Sequence, residues 1–333
     1  MTRRGIILFT LLGVAWGIPY LLIKIAVGQL DPTMLVFART ALAALLLLPV
    51  AVMRGEVRQV LRRWKPLVAY ALAEIIVPQF FLSSAEQRLP SSTTGLLIAA
   101  VPLAGVGVAF LLGRRERLAA RGWLGIGLGM GGVAALVGFD VAGSDLGAVA
   151  EVLIVVVGYA LGPAIIAKWL TGLPGAGVNA LALALTAVVY APVVAATHAW
   201  PTAWPSPSVL TCVVLLAVVC SAAAFTIMTA LVAEIGPVRA TTVTYVNPAI
   251  ALVAGAAVLG EPVTGWSVAG FALILAGCFF VTFRGRVRGL RPSRRPASVP
   301  VDVPVDAAVP VDAAAAVPRG QRGPRPLTRV VRD

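Results

Sequence analysis

The sequence predicts an all-α integral membrane protein: about ten transmembrane helices form two inverted five-helix repeats, and a disordered C-terminal tail follows them. Two observations predict this class. The mean hydropathy is +0.94 and only 12% of the residues are charged, too few charges to cover the surface of a soluble domain. Apolar runs of about 20 residues also recur along the chain, as a bilayer core about 30 Å thick requires.

The candidate spans are the apolar runs between charged or turn-rich breaks. They lie at residues 5–25, 33–53, 66–87, 92–112, 121–139, 146–168, 177–197, 208–233, 239–260 and 264–283. The third run is the least apolar, because it carries Glu74, Gln79 and Glu86. The first run continues to about Val27 with no small-x-small cleavage site, so we expect a retained helix rather than a signal peptide.

Basic residues predict the orientation. If the N-terminus is cytoplasmic, the inner loops collect 13 of the 16 Lys and Arg before residue 284, as the positive-inside rule requires. The outer loops then hold Asp31, Asp140, Asp145 and Glu261, with Arg88 as their only basic residue. We expect a multi-pass protein of the plasma or inner cell membrane with both termini cytoplasmic. The formal charge of +13 therefore sets topology and predicts no nucleic-acid partner.

Residues 284–333 form the predicted tail, which is rich in Arg, Pro, Ala and Val. It contains Pro-Val-Asp at 300–302, 304–306 and 310–312 and has no aromatic residue. Such a segment cannot bury a core, so disorder in the cytoplasm is expected. Binding of its arginines to anionic inner-leaflet lipid is the alternative.

The two halves, residues 5–140 and 146–283, resemble each other at an offset of roughly 145 residues. Pro90, Pro102, Leu112-Gly113 and Gly122-Trp123 correspond to Pro237, Pro248, Leu259-Gly260 and Gly265-Trp266. Five spans in each half place the second half upside down relative to the first. Inverted repeats of this kind build secondary transporters with a midplane binding site.

The second half resembles a known family. The run from Ala233 to Pro248 (AEIGPVRATTVTYVNP), then Leu-Gly-Glu at 259–261 and Gly265, Gly270 and Gly277, is similar to the second repeat of EamA-type transporters of the drug/metabolite transporter superfamily. The first half is similar through Ala15-Trp16-Gly17, Lys24, Asp31-Pro32, Arg39 and Pro102, but has Arg114-Arg115-Glu116 after Leu-Gly. The resemblance implies ten helices in inverted repeats that move small metabolites.

We therefore expect a secondary transporter, with export as the favoured direction, for a small metabolite, amino acid or drug. Expected partners are this small-molecule solute and membrane lipid, with a coupling proton left open, and the chain is a monomer or homodimer. No cofactor, metal site or catalytic residue is predicted; His198 is the only histidine, which excludes His-based metal sites and triads. The alternative is a membrane enzyme or lipid-linked-group flippase acting on a lipid headgroup, although HExxH, G-x-S-x-G and P-loop motifs are absent from the sequence.

Glu74 is the first candidate for the solute site. It lies nine residues from Lys65, about 14 Å along a helix, which is near the bilayer midplane. A carboxylate at that depth is costly and suggests function: it could bind a cationic solute group or carry a coupling proton. A structural hydrogen bond to a neighbouring helix is the alternative.

Arg39 lies about 22 Å from the inner face by the same count. It could bind a solute carboxylate or phosphate, pair with Glu86 or Glu151, or snorkel to the outer surface. Lys24, still nearer the outer face, is expected to snorkel.

Trp16, Tyr20, Tyr159 and Asn247 also fall near the midplane, where aromatic walls with one amide would suit a small organic solute. Gln79 is a weaker member of this set, and each residue taken alone could equally be packing. Pro102 and Pro248 occupy matching positions in the two halves and are candidate hinges, with a static packing kink as the alternative.

Overall fold

The computed structural model describes residues 2–111, 120–136, 146–235 and 240–282, and every regular element in this part of the chain is helical. Seven helical stretches are long and apolar enough to cross a membrane, and Gly122–Ala135, Val243–Leu259 and Gly265–Phe280 are shorter apolar helices. The all-α class is confirmed. The described part of each predicted span is largely helical, while ten crossings and their inverted arrangement stay a prediction. The predicted tail and Glu116 lie outside the described residues.

The helices follow the apolar runs in order. Before residue 112 they are α1 (Arg3–Gly17), α2 (Pro19–Ala26), α3 (Pro32–Met53), α4 (Glu56–Leu61), α5 (Trp64–Ala71), α6 (Val77–Arg88), α7 (Ser91–Ile98) and α8 (Val101–Leu111). After it they are α9 (Ala120–Ala135), α10 (Leu146–Ile165), α11 (Gly175–Thr197), α12 (Pro207–Ala217), α13 (Ala224–Ile235), α14 (Asn247–Leu259) and α15 (Gly265–Thr282).

Several long helices are interrupted near their middle. π-helical turns at Leu72–Ile76, Ile166–Leu170 and Val218–Ala223 join α5 to α6, extend α10 and join α12 to α13. Elsewhere the interruption comes before a proline: Pro19 is the first residue of α2, and Pro102 and Pro248 are the second residues of α8 and α14. Proline is tolerated there because the first helical N–H groups need no intrahelical partner.

Glycine allows α9 and α15 to pack closely. A Cβ on Gly132 would lie 2.6 Å from the carbonyl oxygen of Gly270, and a Cβ on Gly277 would lie 2.5 Å from that of Gly125. Neither helix could approach so near with a larger side chain at these positions. Gly125, Gly129 and Gly132 therefore allow close packing within the chain.

Large apolar side chains cover the outside of the bundle. Leu45, Val188 and Met130 are 71%, 69% and 66% exposed. Small and branched residues such as Ala43, Leu35 and Leu183 fill the interior. Apolar residues on both the inside and the outside are expected where lipid is the solvent, because lipid imposes no penalty on an exposed leucine.

At one end of the bundle, α6 ends at Arg88 and α7 begins at Ser91. We call residues 86–91, the end of α6 and the start of α7, the α6–α7 corner. Two carboxylate oxygens of Glu261 accept hydrogen bonds of 2.8 Å from the backbone N–H groups of Ser91 and Ser92, the free donors at the start of α7. Gly260 has φ of +66° and ends α14, which turns Glu261 toward them. Burial raises the pKa of Glu261, but hydrogen bonds from Ser92 and Ser91 lower it by more, so the pKa lies below its ordinary 4.5.

The same corner corrects the expectation for Lys24. Its Nζ does not snorkel to the surface but donates to the backbone carbonyls of Glu86 (2.6 Å) and Leu89 (2.7 Å). The physical reason is the end of α6, whose last carbonyl groups lack helical partners and attract a cation.

Of the three alternatives for Arg39, the structure does not show the pairing with Glu86 or Glu151. Glu151 binds Arg88 instead, with 2.5 Å between Oε1 and Nη2, and both carboxylate oxygens of Glu86 lack a hydrogen-bond partner among the described residues. Arg39 does not snorkel either, because it is buried, with 5% exposure.

Candidate functional site

A cavity of about 350 Å³ lies inside the bundle. All nine residues singled out from the sequence line it: Trp16, Tyr20, Arg39, Glu74, Gln79, Pro102, Tyr159, Asn247 and Pro248. Its volume is within the range of about 300–1,000 Å³ that is usual for small-molecule sites. The structure therefore brings the predicted residues together, while their role in binding stays a prediction.

Glu74 reaches the cavity from the π-helical turn Leu72–Ile76. Pro78 lies two residues after Ile76, the end of this turn. Because proline has no N–H to donate to a carbonyl of the preceding helical turn, it favours the wider π-helical geometry here. The hydroxyl of Tyr190 donates to the carbonyl oxygen of Ile76 at 2.9 Å and holds the end of the turn. Gly162 of α10 leaves the space that the carboxylate fills, since a Cβ there would overlap Glu74.

Four polar side chains of the cavity have a buried atom without a hydrogen-bond partner in the described part of the chain. These atoms are Arg39 Nε, Glu74 Oε2, Gln79 Oε1 and Asn247 Oδ1. Buried polar groups are nearly always paired, because an unpaired one costs about 1–3 kcal/mol. All four atoms belong to residues that line the same cavity.

Aromatic rings form the walls between these groups. Trp16 meets Phe225 edge to face, with 6.4 Å between ring centroids. Tyr159 of α10 lies close enough to both Glu74 and Arg39 for their charges to act on its hydroxyl. The cavity thus offers one acidic and one basic group with a phenol near both, and apolar surface around them.

Sequence reasoning missed part of the lining. Cys220 and Ser221 come from the π-helical turn Val218–Ala223, and Phe225, Met228 and Thr244 follow in α13 and the segment before α14. These residue types do not stand out in an apolar run. The repeat offset of roughly 145 residues could have indicated Cys220 and Ser221, because it aligns them with Glu74 and Ile75.

The long apolar helices and the internal cavity define a membrane protein with room for a small molecule among its helices. A solved crystal structure, 21% identical in sequence, has the same fold: the TM-score is 0.59 over 85% of this chain and 97% of the other.

The EamA-like transporter family model matches residues 3–138 and again residues 147–283, and the chain belongs to that family. The chain is also 29% identical over 272 residues to the "Uncharacterized inner membrane transporter YedA" of Escherichia coli K12, covering 79% of this chain and 87% of that protein. The proteins of the same name from Escherichia coli O6:H1 and O157:H7 give the same values.

Proposed function

We propose that the protein is a secondary transporter that exports a small organic solute by alternating access, with the cavity as its solute site. The observation that carries the proposal is the set of four unpartnered polar atoms around that cavity. A polar solute would satisfy these atoms in the bound state, and water would satisfy them before and after.

Two inverted repeats would supply the two states. The family matches the chain twice, at 3–138 and 147–283, close to the predicted halves 5–140 and 146–283. The interruptions also recur in step: Pro102 precedes Pro248 by roughly 145 residues, and the turns Leu72–Ile76 and Val218–Ala223 have the same offset. These breaks line the cavity, where a change of backbone angle would open one side and close the other.

The basic loops support an orientation with both termini in the cytoplasm. In this orientation the α6–α7 corner faces outward. The continuous helical stretch Trp64–Arg88, which contains α5 and α6, begins at Trp64 on the inner side and therefore ends at Arg88 on the outer side. The printed name of the Escherichia coli relative supports an inner-membrane location. The proposal is thus a multi-pass transporter of the cell membrane that needs no enzymatic group or cofactor.

The charges of the cavity narrow the class of solute. Glu74 would bind a cationic group and Arg39 a carboxylate or phosphate, while Tyr159 would hydrogen-bond between them. A solute with both charges, such as an amino acid, would satisfy both groups at once. A purely cationic drug would use Glu74 and leave Arg39 unpaired, which is less favourable.

Reconstitution into liposomes tests the proposal. We expect saturable flux of at least one radiolabelled solute from a panel of amino acids, small metabolites and cationic drugs. Glu74→Gln should lower that flux by about 10–100-fold, because it removes one charge-assisted hydrogen bond to the solute, which contributes about 1.5–3 kcal/mol. Glu234→Gln is the matched control, because Glu234 lies outside the cavity beside the exposed Arg4. The proposal would be wrong if well-folded protein gave no saturable flux with any solute of the panel. It would also be wrong if the Glu74→Gln variant transported the solute as fast as wild type.

A further inference from the structure

Glu86 is a buried acid that the solute site does not use. It has 0% exposure, and neither carboxylate oxygen has a hydrogen-bond partner among the described residues. It also lies outside the cavity lining. The ammonium group of Lys24 donates hydrogen bonds to the backbone carbonyls of Glu86 and Leu89 and not to the Glu86 carboxylate.

The charged and titratable groups around Glu86 come from every side. Lys24 and Tyr20 face it from α2, and Glu261 faces it from the connection between α14 and α15. On its own helix Arg88 binds Glu151 of α10, and α7 contributes no titratable side chain. The further groups on packed helices, Arg39 of α3 and Tyr159 of α10, line the cavity.

These surroundings compensate a carboxylate only in part. The charge of Lys24 favours the ionised form, but its hydrogen bonds go to backbone carbonyls, the charge of Glu261 opposes ionisation, and burial removes the carboxylate from water. Burying an incompletely paired charge is strongly unfavourable, and burying a neutral carboxylic acid costs much less. Glu86 therefore holds a proton in the closed arrangement that the structure shows.

We propose that Glu86 is the proton site of the transporter, and that protonation of this residue closes the outer side. The proposal rests on the proposed function, because only a protein that opens outward exposes Glu86 to outer water. In the closed form the α6–α7 corner is tied to α2 by Lys24, to Glu261 and, through Arg88, to α10. Opening would part some of these contacts, let water reach Glu86 and allow the carboxylic acid to ionise.

A proton fits this site better than a metal ion. In the described ranges, no group of three His, Cys, Asp or Glu side chains could hold a metal ion. The ammonium of Lys24 would also repel a bound cation. A proton needs one carboxylate oxygen and no further ligand.

Two tyrosines connect Glu86 with the cavity. Tyr20 interacts electrostatically with Glu86 and with Tyr159, and Tyr159 interacts with Glu74. Tyr20 and Tyr159 both line the cavity. A proton taken from outer water by Glu86 would move through water in the cavity that Tyr20 and Tyr159 line and leave on the inner side, opposite to an exported solute.

Thiol labelling tests this without knowledge of the solute. Cys220 lines the cavity, and replacing Cys212 and Cys278 by alanine leaves it as the only cysteine of the sequence. A membrane-impermeant methanethiosulfonate is applied to right-side-out and to inside-out vesicles. The readout is the ratio of the outer to the inner labelling rate, which cancels the intrinsic effect of pH on the thiol.

We expect this ratio to rise at least about tenfold from about pH 6 to about pH 8, since one linked proton changes an equilibrium by up to about tenfold per pH unit. Glu86→Gln imitates the protonated acid permanently and should keep the ratio low, within about twofold over the same range. Glu86→Asp should restore the rise. Glu56→Gln removes another carboxylate with a buried unpartnered oxygen and should leave the rise unchanged.

The outcomes separate the two proposals. A pH-dependent ratio that persists in Glu86→Gln, or a ratio that never responds to pH although both sides label, overturns the role of Glu86 alone. A Cys220 that is never labelled from outside at any pH overturns alternating access and the proton site together. Melting curves of each variant show whether a low ratio comes from loss of folding instead; if Glu86→Gln unfolds, the folded Glu86→Asp variant decides, and a pH-independent ratio in it contradicts the proposal.

Discussion

Glu261→Gln is the substitution whose cost the structure allows to be worked out most directly. The carboxylate accepts two hydrogen bonds of 2.8 Å, from the N–H groups of Ser91 and Ser92. Glutamine can accept only one of them and turns an amide NH₂ toward the other donor. Each charge-assisted bond loses about 1 kcal/mol when it becomes neutral, and a donor left unpaired costs about 1–3 kcal/mol. We expect a loss of about 2–4 kcal/mol in the free energy of unfolding.

The assay is thermal unfolding of purified protein in detergent near neutral pH. A loss of that size corresponds to a fall of about 3–6 °C in melting temperature for a chain of this length. Glu234→Gln is the control. Its ion-pair partner Arg4 is 74% exposed and lies 3.9 Å away, and the amide oxygen of glutamine can still accept the hydrogen bond that the Thr2 hydroxyl donates at 2.6 Å, so the change should cost below about 1 kcal/mol. A Glu261→Gln variant that melts with the control would refute the reasoning.

The pH dependence gives a second check on Glu261. Because its folded-state pKa is below the ordinary 4.5, its contribution is complete above that value and is lost as the pH falls through the lowered pKa. The difference in melting temperature between wild type and Glu261→Gln should therefore be constant near neutral pH and shrink under acid conditions. A difference that grows on acidification would contradict this assignment.

Three further substitutions test close contacts beside the cavity and between α9 and α15. Gly162→Ala should displace the Glu74 carboxylate and weaken solute binding by about tenfold, whereas Gly127→Ala, with nothing within 4 Å of the added Cβ, should change neither binding nor melting; equal behaviour of the two would argue against the contact. Gly132→Ala places a methyl group 2.6 Å from the Gly270 carbonyl oxygen and should cost about 1–3 kcal/mol in the free energy of unfolding, so an unchanged melting temperature would contradict the close packing of α9 on α15. Tyr190→Phe removes the hydroxyl that donates to the Ile76 carbonyl and should cost about 1 kcal/mol, measured against the control Trp64→Phe on the exposed surface.

The grouping of polar and aromatic side chains from distant parts of the chain could be predicted from the sequence. Charged residues at helix ends fix where the membrane begins, and a rise of 1.5 Å per residue then locates every side chain between them. Glu74, Tyr159 and Asn247, from distant parts of the chain, were placed near the midplane in this way, and all three line one cavity.

Hydrogen-bond partners could not be predicted in this way. Lys24 was correctly placed near a helix end, but the carbonyls it binds become available only because α6 stops at Arg88 and turns back into α7. The π-helical turns were also difficult to predict. Pro78, just after the turn Leu72–Ile76, is a local signal for that turn, but no proline lies in the turn Val218–Ala223 or in α13 after it. Cys220 and Ser221 therefore looked like ordinary members of an apolar run.

The central claim is that one cavity, built from both halves of the chain, binds the solute. A thermal-shift screen of purified protein against amino acids, sugars, nucleosides and cationic drugs tests it most directly, since a ligand of the folded state raises the melting temperature. We predict a saturable rise for at least one solute, lost in Glu74→Gln from the first half and in Asn247→Ala from the second, and kept in Glu234→Gln. A solute that stabilises Glu74→Gln and Asn247→Ala as strongly as wild type would contradict the claim.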